Sequence, residues 1–260
     1  MLDSLYIATS GLNAQQLQID TISNNIANVN TVGYKKSKMD FSDLLYKEMS
    51  AASITDTSSK AAQYIGTGVS ASSNQKVFTD GNLIKTNGVL DVAINGKGFF
   101  EVTLPDNTSA YTRAGSFKLD NDGFITDKDG NKLSSMVQLP PDFEGVFISP
   151  TGDVSVKLPG DERLVNVGNI EMVSFISTDS LQAKGNSLYV ATKDSGDAMT
   201  GIPGEIGLGT ISQGFLESSN VEYVFELTDL VLAQRGYEMN SKMIQVSDQI
   251  MGIINNLYRS

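Results

Sequence analysis

Residues 221–257 read VEYVFELTDLVLAQRGYEMNSKMIQVSDQIMGIINNL, and no proline interrupts them. Phe225, Leu232, Met239, Val246 and Ile253 recur every seventh position. Met243, Ile250 and Leu257 form a partner series, which Asp229 and Gly236 break in its first half. Apolar residues at alternating three- and four-residue steps form a seam along one side of a helix. Ser219-Asn220-Val221-Glu222 has the form of a capping box at its start. At ~1.5 Å per residue such a helix runs ~55 Å, longer than a compact domain needs, so it calls for partners along its length. The opposite end of the chain carries a matching pattern. Leu5, Leu12, Ile19 and Ile26 recur every seven residues, and Ala8, Ile22 and Val29 fill a second series that Gln15 interrupts. The remaining faces of this N-terminal helix are polar but almost uncharged (Asn13, Gln16, Gln18, Thr21, Asn24, Asn25), as suits contact surfaces rather than a freely solvated helix.

Between the ends the punctuation changes. Of 24 glycines only Gly11, Gly33, Gly236 and Gly252 lie outside Gly66–Gly214, and all 6 prolines fall between Pro105 and Pro203. Alternation at Val92/Ile94 and Val154/Val156/Leu158, with turn signals at Asn121-Asp122-Gly123 and Lys128-Asp129-Gly130, predicts short strands. The expected fold class is α+β: long terminal helices pairing as a coiled coil, with a central, mostly-β domain resembling a small barrel or sandwich. The expected divisions are an N-terminal helix over 1–34, a connecting segment over 35–68, a β domain over 69–214 and a C-terminal helix over 215–260. Within the connecting segment, Phe41, Leu44, Leu45 and Tyr46 suggest a short amphipathic helix, followed by a polar loop from Ser50 to Ser59.

Composition narrows the chemistry. The 260 residues include no Cys, no His and no Trp. Disulfides, Cys/His zinc sites and histidine-dependent nucleophilic triads are therefore excluded. Nineteen basic and 30 acidic residues give a net charge of −11 without a basic block, which argues against nucleic-acid binding. The N-terminus lacks the basic and apolar regions of a signal peptide, and no apolar run is long enough to span a bilayer.

Several weak motifs fail on spacing. Gly96-Lys97-Gly98 lacks the earlier glycine and following hydroxyl of a phosphate loop, and Gly207-Leu208-Gly209 has Ser212 where a dinucleotide fingerprint needs glycine. In a calcium-loop register, Asp127-Lys128-Asp129-Gly130 would put Ile125 and Met136 at coordinating positions, so a turn is the better reading. Asn107-Thr108-Ser109 matches a glycosylation triplet, a pattern common by chance. Acids such as Asp120, Asp122, Asp127 and Asp129 sit beside turn glycines, where exposed turn carboxylates are expected rather than a hydrolase pair. No enzyme activity, cofactor or metal is expected.

The stretch Ser23-Asn24-Asn25-Ile26-Ala27-Asn28-Val29-Asn30-Thr31-Val32-Gly33-Tyr34-Lys35 closely resembles the N-terminal signature of bacterial flagellar rod and hook proteins, in which Asn24, Asn25, Ala27, Asn28, Thr31, Gly33 and Lys35 match. Gln234, Arg235, Tyr237, Glu238, Asn240, Ser241 and Lys242 resemble the family's C-terminal signature, with Gly236 where alanine is more usual. Gly66-Thr67-Gly68-Val69, residues 91–100, residues 110–117 and residues 213–221 resemble distal-rod members rather than hook or proximal-rod paralogues.

The resemblance implies a structural subunit that leaves the cell through the flagellar export apparatus without a cleaved signal. It would polymerise into a hollow rod crossing the periplasm. The implied neighbours are further copies of the chain, proximal rod proteins, the hook or its junction, and the P- and L-ring bushings, with no direct membrane insertion. The terminal helices would pair in an inner tube with the β domain outside, and residues 35–68 would help to lock neighbours into a stiff shaft. A lone helix pair leaves Tyr223, Val224, Leu227 and Val231 uncovered, so the ends are expected to order fully on assembly. The asparagine cluster at 24, 25 and 28 is expected to contact neighbouring subunits as well as to shape the helix end. A carboxylate-based hydrolase and a secreted β-rich adhesin with a coiled-coil stalk are the alternatives from other classes.

Overall fold

The computed structural model describes residues 2–44, 46–49, 63–160, 163–205 and 207–257. Leu45 and the polar run Ser50–Ser59 lie outside the described residues. Contacts divide the chain into two compact units. One comprises Met1–Ile26, Ser37–Gln75 and Tyr223–Ser260; the other comprises Ala27–Lys36 and Lys76–Glu222. The fold class is α+β.

In the first unit, helix α1 (Leu2–Ala27) and helix α2 (Tyr223–Leu257) are the long elements. Each lacks proline and is rich in helix-forming residues. Val29, expected on the first helix, lies beyond its end in the Asn28–Asn30 turn. The capping box takes another form. Ser219 Oγ accepts the Val221 N–H at 3.3 Å, and α2 begins only at Tyr223. Strand Ser37–Asp43 pairs with Val69–Lys76. Tyr46–Met49 pairs antiparallel with Gln63–Gly66. Of the residues expected on a short amphipathic helix, Phe41 and Tyr46 thus lie in strands, and Leu44 follows the first of them. Ser37-Lys38-Met39-Asp40-Phe41-Ser42-Asp43 has few strong helix formers, and its backbone donors and acceptors are met by cross-strand pairing instead.

The second unit is antiparallel β. Its largest sheet runs Gln182–Gly185, Leu188–Val190, Ser109–Thr112, Phe99–Thr103, Lys132–Leu133, Ile125–Thr126 and Lys118–Leu119. Met172–Ser174 joins beside Phe99–Thr103, and Met199–Gly201 flanks it. Gly145–Ile148, Asp153–Lys157 and Leu164–Asn169 make a three-stranded sheet. Val92–Asn95 pairs with Thr210–Gln213, and Leu83–Lys85 pairs with Phe215–Glu217. The alternating Val154 and Val156 are fully buried, while Val92, Ala93 and Ile94 are buried consecutively, as in a strand covered on both faces. The main core includes Phe100, Val102, Leu133, Val156 and Ile211. A separate aromatic cluster joins Phe99, Tyr111, Phe175 and Tyr189 through edge-to-face contacts with centroids 4.7–6.3 Å apart. Both Asp-containing turn signals are turns. In one of them Asp127 accepts the Asp129 and Asn131 backbone N–H groups, each at 2.9 Å.

Candidate assembly surfaces

The two terminal helices approach each other antiparallel through small and polar residues. A methyl group added at Gly11 would lie 2.9 Å from Asn240 Nδ2, and one added at Gly236 would lie 3.1 Å from Gln15 Cδ. Each glycine thus receives an amide side chain from the opposite helix. Four residues separate glycine and amide on both helices, so the arrangement is reciprocal. One turn from the α2 start, Asn25 Nδ2 donates to Glu226 Oε2 at 3.1 Å. Ala233, also buried, lies between these contacts. The unusual Gly236 of the C-terminal signature therefore has a packing reason. It costs about 1 kcal/mol in helix propensity but leaves room for Gln15.

The apolar series read from the sequence divide between two environments. On α1, Ala8 and Ile22 are buried, and Leu5, Leu12, Ile19 and Ile26 are half-buried; Val29 is half-buried beyond the helix. On α2 the expected seam faces solvent. Phe225, Leu232, Met239, Met243, Val246, Ile250, Ile253 and Leu257 are all exposed, with Leu232 at 64% and Met239 at 68%. The more buried positions of α2 are Glu226, Leu230, Ala233, Gly236, Asn240, Ser241, Ile244, Ser247 and Met251. Both stripes repeat every seven residues. Periodicity alone selected the bulkier one, whereas the close approach of two backbones requires the smaller one. Tyr223, Val224, Leu227 and Val231 are exposed as well.

The N-terminal signature is divided between the two units. Asn25 is 2% exposed, and its amide mimics a strand neighbour: Oδ1 accepts the Ser37 N–H at 2.9 Å and Nδ2 donates to the Ser37 carbonyl at 2.9 Å. Asn25 thus joins the helix to the strand that follows within the chain. Asn24 and Ala27 are exposed. Asn25→Ala should leave the Ser37 groups unsatisfied at about 1–3 kcal/mol each. Amide exchange at Ser37 is then expected to quicken by roughly a hundredfold; an unchanged rate would show that water replaces the side chain without loss.

The later half of the signature belongs to the β-rich unit. Thr31 Oγ1 donates to Asn28 Oδ1 at 3.2 Å, and the Thr31 N–H donates to the Asn28 carbonyl at 3.1 Å, closing the turn after α1. Gly33 has φ +67, and a methyl group there would lie 2.5 Å from the Ala114 backbone nitrogen, so only glycine suits the position. Its N–H donates to the Glu217 carbonyl at 2.9 Å. Lys35 is fully buried; its Nζ donates to Glu217 Oε1 and to the Thr79 carbonyl, each at 2.6 Å. The Glu217 carboxylate also accepts the Gly81 N–H at 2.8 Å and Arg113 at 3.4 Å. Burial lowers the Lys35 pKa from its usual value, and the Glu217 charge opposes that shift.

On the C-terminal signature, Arg235 pairs with Glu238 at 3.3 Å on the exposed face. Gln234, Tyr237 and Lys242 are exposed, whereas Asn240 and Ser241 are half-buried. Sequence reasoning did not single out Arg113, Glu217 or Glu226. Glu217 and Glu226 flank the start of α2, and a buried acid there is invisible without knowing which donor meets it: Lys35 and Arg113 for Glu217, the Asn25 amide for Glu226. Among the described residues no group of three or more acids could hold a metal ion.

Three family models match in chain order. They are the flagella basal body rod protein over residues 5–35, the flagellar hook protein FlgE/F/G D1 domain over 93–156, and the flagellar basal body rod FlgEFG protein C-terminal region over 212–257. The chain is 40% identical over 264 residues to flagellar basal-body rod protein FlgG of Borreliella burgdorferi, with 100% of both chains covered. The chain belongs to the flagellar basal-body rod protein family. To the FlgG protein of Bacillus subtilis the rod protein is 39% identical over 267 residues, again with 100% of both covered. To that of Buchnera aphidicola from Schizaphis graminum it is 40% identical over 260 residues, covering 99% of this chain and 100% of the relative. The family is structural rather than enzymatic. The first and last matched regions of the rod protein contain Lys35 and Glu217, so both partners of the buried ion pair lie in family-defining segments.

Proposed function

We propose that the chain polymerises helically into the hollow distal rod of the flagellar basal body, the shaft that passes torque to the hook and leaves a channel for exported subunits. The outward stripe of α2 carries this reading. Bulky apolar side chains run exposed along a 35-residue helix, uncovered by the described residues, and an apolar surface of that length marks a protein contact. A head-to-tail contact between this stripe and a different surface of the next copy does not close on itself, and so builds a filament. In this reading α1 and α2 pair as a coiled coil, supported by the seven-residue repeats and the reciprocal glycine–amide contacts. The central strands form a barrel or sandwich, supported by their antiparallel pairing around a shared core.

The partners are further copies of the chain, proximal rod proteins, the hook or rod–hook junction, the P- and L-ring bushings and the export apparatus. The rod would span the periplasm, each subunit arriving without a cleaved signal peptide. No described helix is long and apolar enough to cross a membrane. Negative-stain microscopy of the purified chain tests the reading. Straight rods or tubes are expected on concentration, and closed oligomers of fixed size would overturn it in favour of a stalked adhesin.

A further inference from the structure

The chain has no Cys, His or Trp, so among the readily oxidised side chains a peroxide meets only methionine. Reaction at a thioether follows its exposure. Met172 is fully buried in the main core, whereas Met136, Met199, Met239 and Met243 are at least half exposed. Met239 and Met243 differ from the other two in where they stand. Both belong to the outward apolar stripe of α2, at 68% and 58% exposure. They lie four residues apart on a helix, so their side chains are neighbours on one face. The pair falls at the middle of Tyr223–Leu257. Around it the exposed stripe is hydrocarbon: Leu232, Val246, Ile250 and Ile253 offer a peroxide nothing to oxidise. The one reactive step in the stripe is thus placed at its centre.

We propose that Met239 and Met243 form an oxidation site through which a peroxide blocks assembly of the free subunit, an inference that rests on the rod reading above. A lone pair of the thioether sulfur attacks one peroxide oxygen, and the O–O bond breaks. The sulfur keeps that oxygen as a sulfoxide and loses two electrons. The other oxygen is reduced and leaves as water, carrying both protons of hydrogen peroxide. Sulfoxide turns a flexible apolar side chain into a polar one. In the free subunit water solvates the new oxygen, so the fold is spared. In an apolar contact between subunits that water is lost, and the cost falls on assembly. Once the stripe is covered, the same two sulfurs are out of reach. The site therefore acts on subunits before they assemble and leaves a finished rod intact.

The test treats the full chain with hydrogen peroxide either before or after it is concentrated into rods, and peptide mass spectrometry reads oxidation site by site. In the free chain Met239 and Met243 should oxidise at least about tenfold faster than Met172, and in preformed rods both should slow by about tenfold. Chain oxidised before assembly should give about tenfold fewer rods by negative stain, with its thermal unfolding unchanged. Methionine sulfoxide reductases should restore the yield. For a Met239→Leu/Met243→Leu variant, rod yield after treatment should match that of its own untreated sample. Full oxidation at both positions without loss of rods would overturn the proposal. An equal proportional loss in the leucine variant would do the same, by placing the damage elsewhere in the chain. A parent chain that forms no rods before treatment would instead sink the rod reading, and with it the role of the pair in assembly.

Discussion

Replacing Lys35 with methionine is expected to destabilise the β-rich unit by about 3–5 kcal/mol, read as an earlier urea transition. Methionine keeps most of the side-chain volume, so a cavity is not the source of the loss. The source is Glu217, which is fully buried and would lose its shortest contact, the 2.6 Å bond from Nζ. Gly81 N–H and Arg113 would remain, the latter at 3.4 Å and shared with Asp80. A buried carboxylate left with one weak cation is costly, whereas a buried pair removed as a whole is not. Adding Glu217→Gln to Lys35→Met should therefore restore more than half of the lost stability. Equal losses in the single and double variants would show that packing, and not charge, sets the cost.

The second large effect concerns assembly. Leu232→Glu combined with Met239→Glu should abolish filament formation while leaving thermal unfolding of the monomer within about 0.5 kcal/mol of the parent. Both side chains are more than half exposed, so their replacements stay hydrated in the isolated chain. In a polymer the same positions would bury two carboxylates per subunit against apolar neighbours, and every copy would repeat the fault. Filaments of normal yield and length from this variant would show that the α2 stripe is not a subunit contact. A destabilised monomer would instead place the stripe inside the chain's own fold.

The architecture was legible at the ends because helix periodicity and the absence of proline are local signals. The β character of the middle was legible for the same reason: Asp127 and Gly130 form the turn that their types announce. What the sequence could not decide was which of two heptad stripes on α2 turns inward. Phe225, Leu232 and Met239 are the better apolar candidates, yet Glu226, Ala233 and Asn240 are the more buried. That choice depends on Gly11 and Gln15, more than 200 residues away in sequence (236 − 15 = 221). The segment at Phe41–Tyr46 failed for a related reason. Its few apolar residues fit either period; Phe41 falls in the strand that pairs with Val69–Lys76, and Tyr46 falls in the one that pairs with Gln63–Gly66. Lys35 stood out as part of a motif, but its burial against Glu217 required a partner 182 positions along the chain.

The reciprocal contacts of Gly11 with Asn240 and of Gln15 with Gly236 act as an index mark between the two chain ends. Sliding one helix by a heptad would set Gln15 against Met243 and Gly11 against Ser247, so that neither glycine meets an amide. A uniform leucine seam would accept several such offsets at similar energy. A single folding chain has no external template for aligning its two ends. Here the alignment is written into two glycines and two amides, and a deletion of a single residue between Gly11 and Gln15 would erase it.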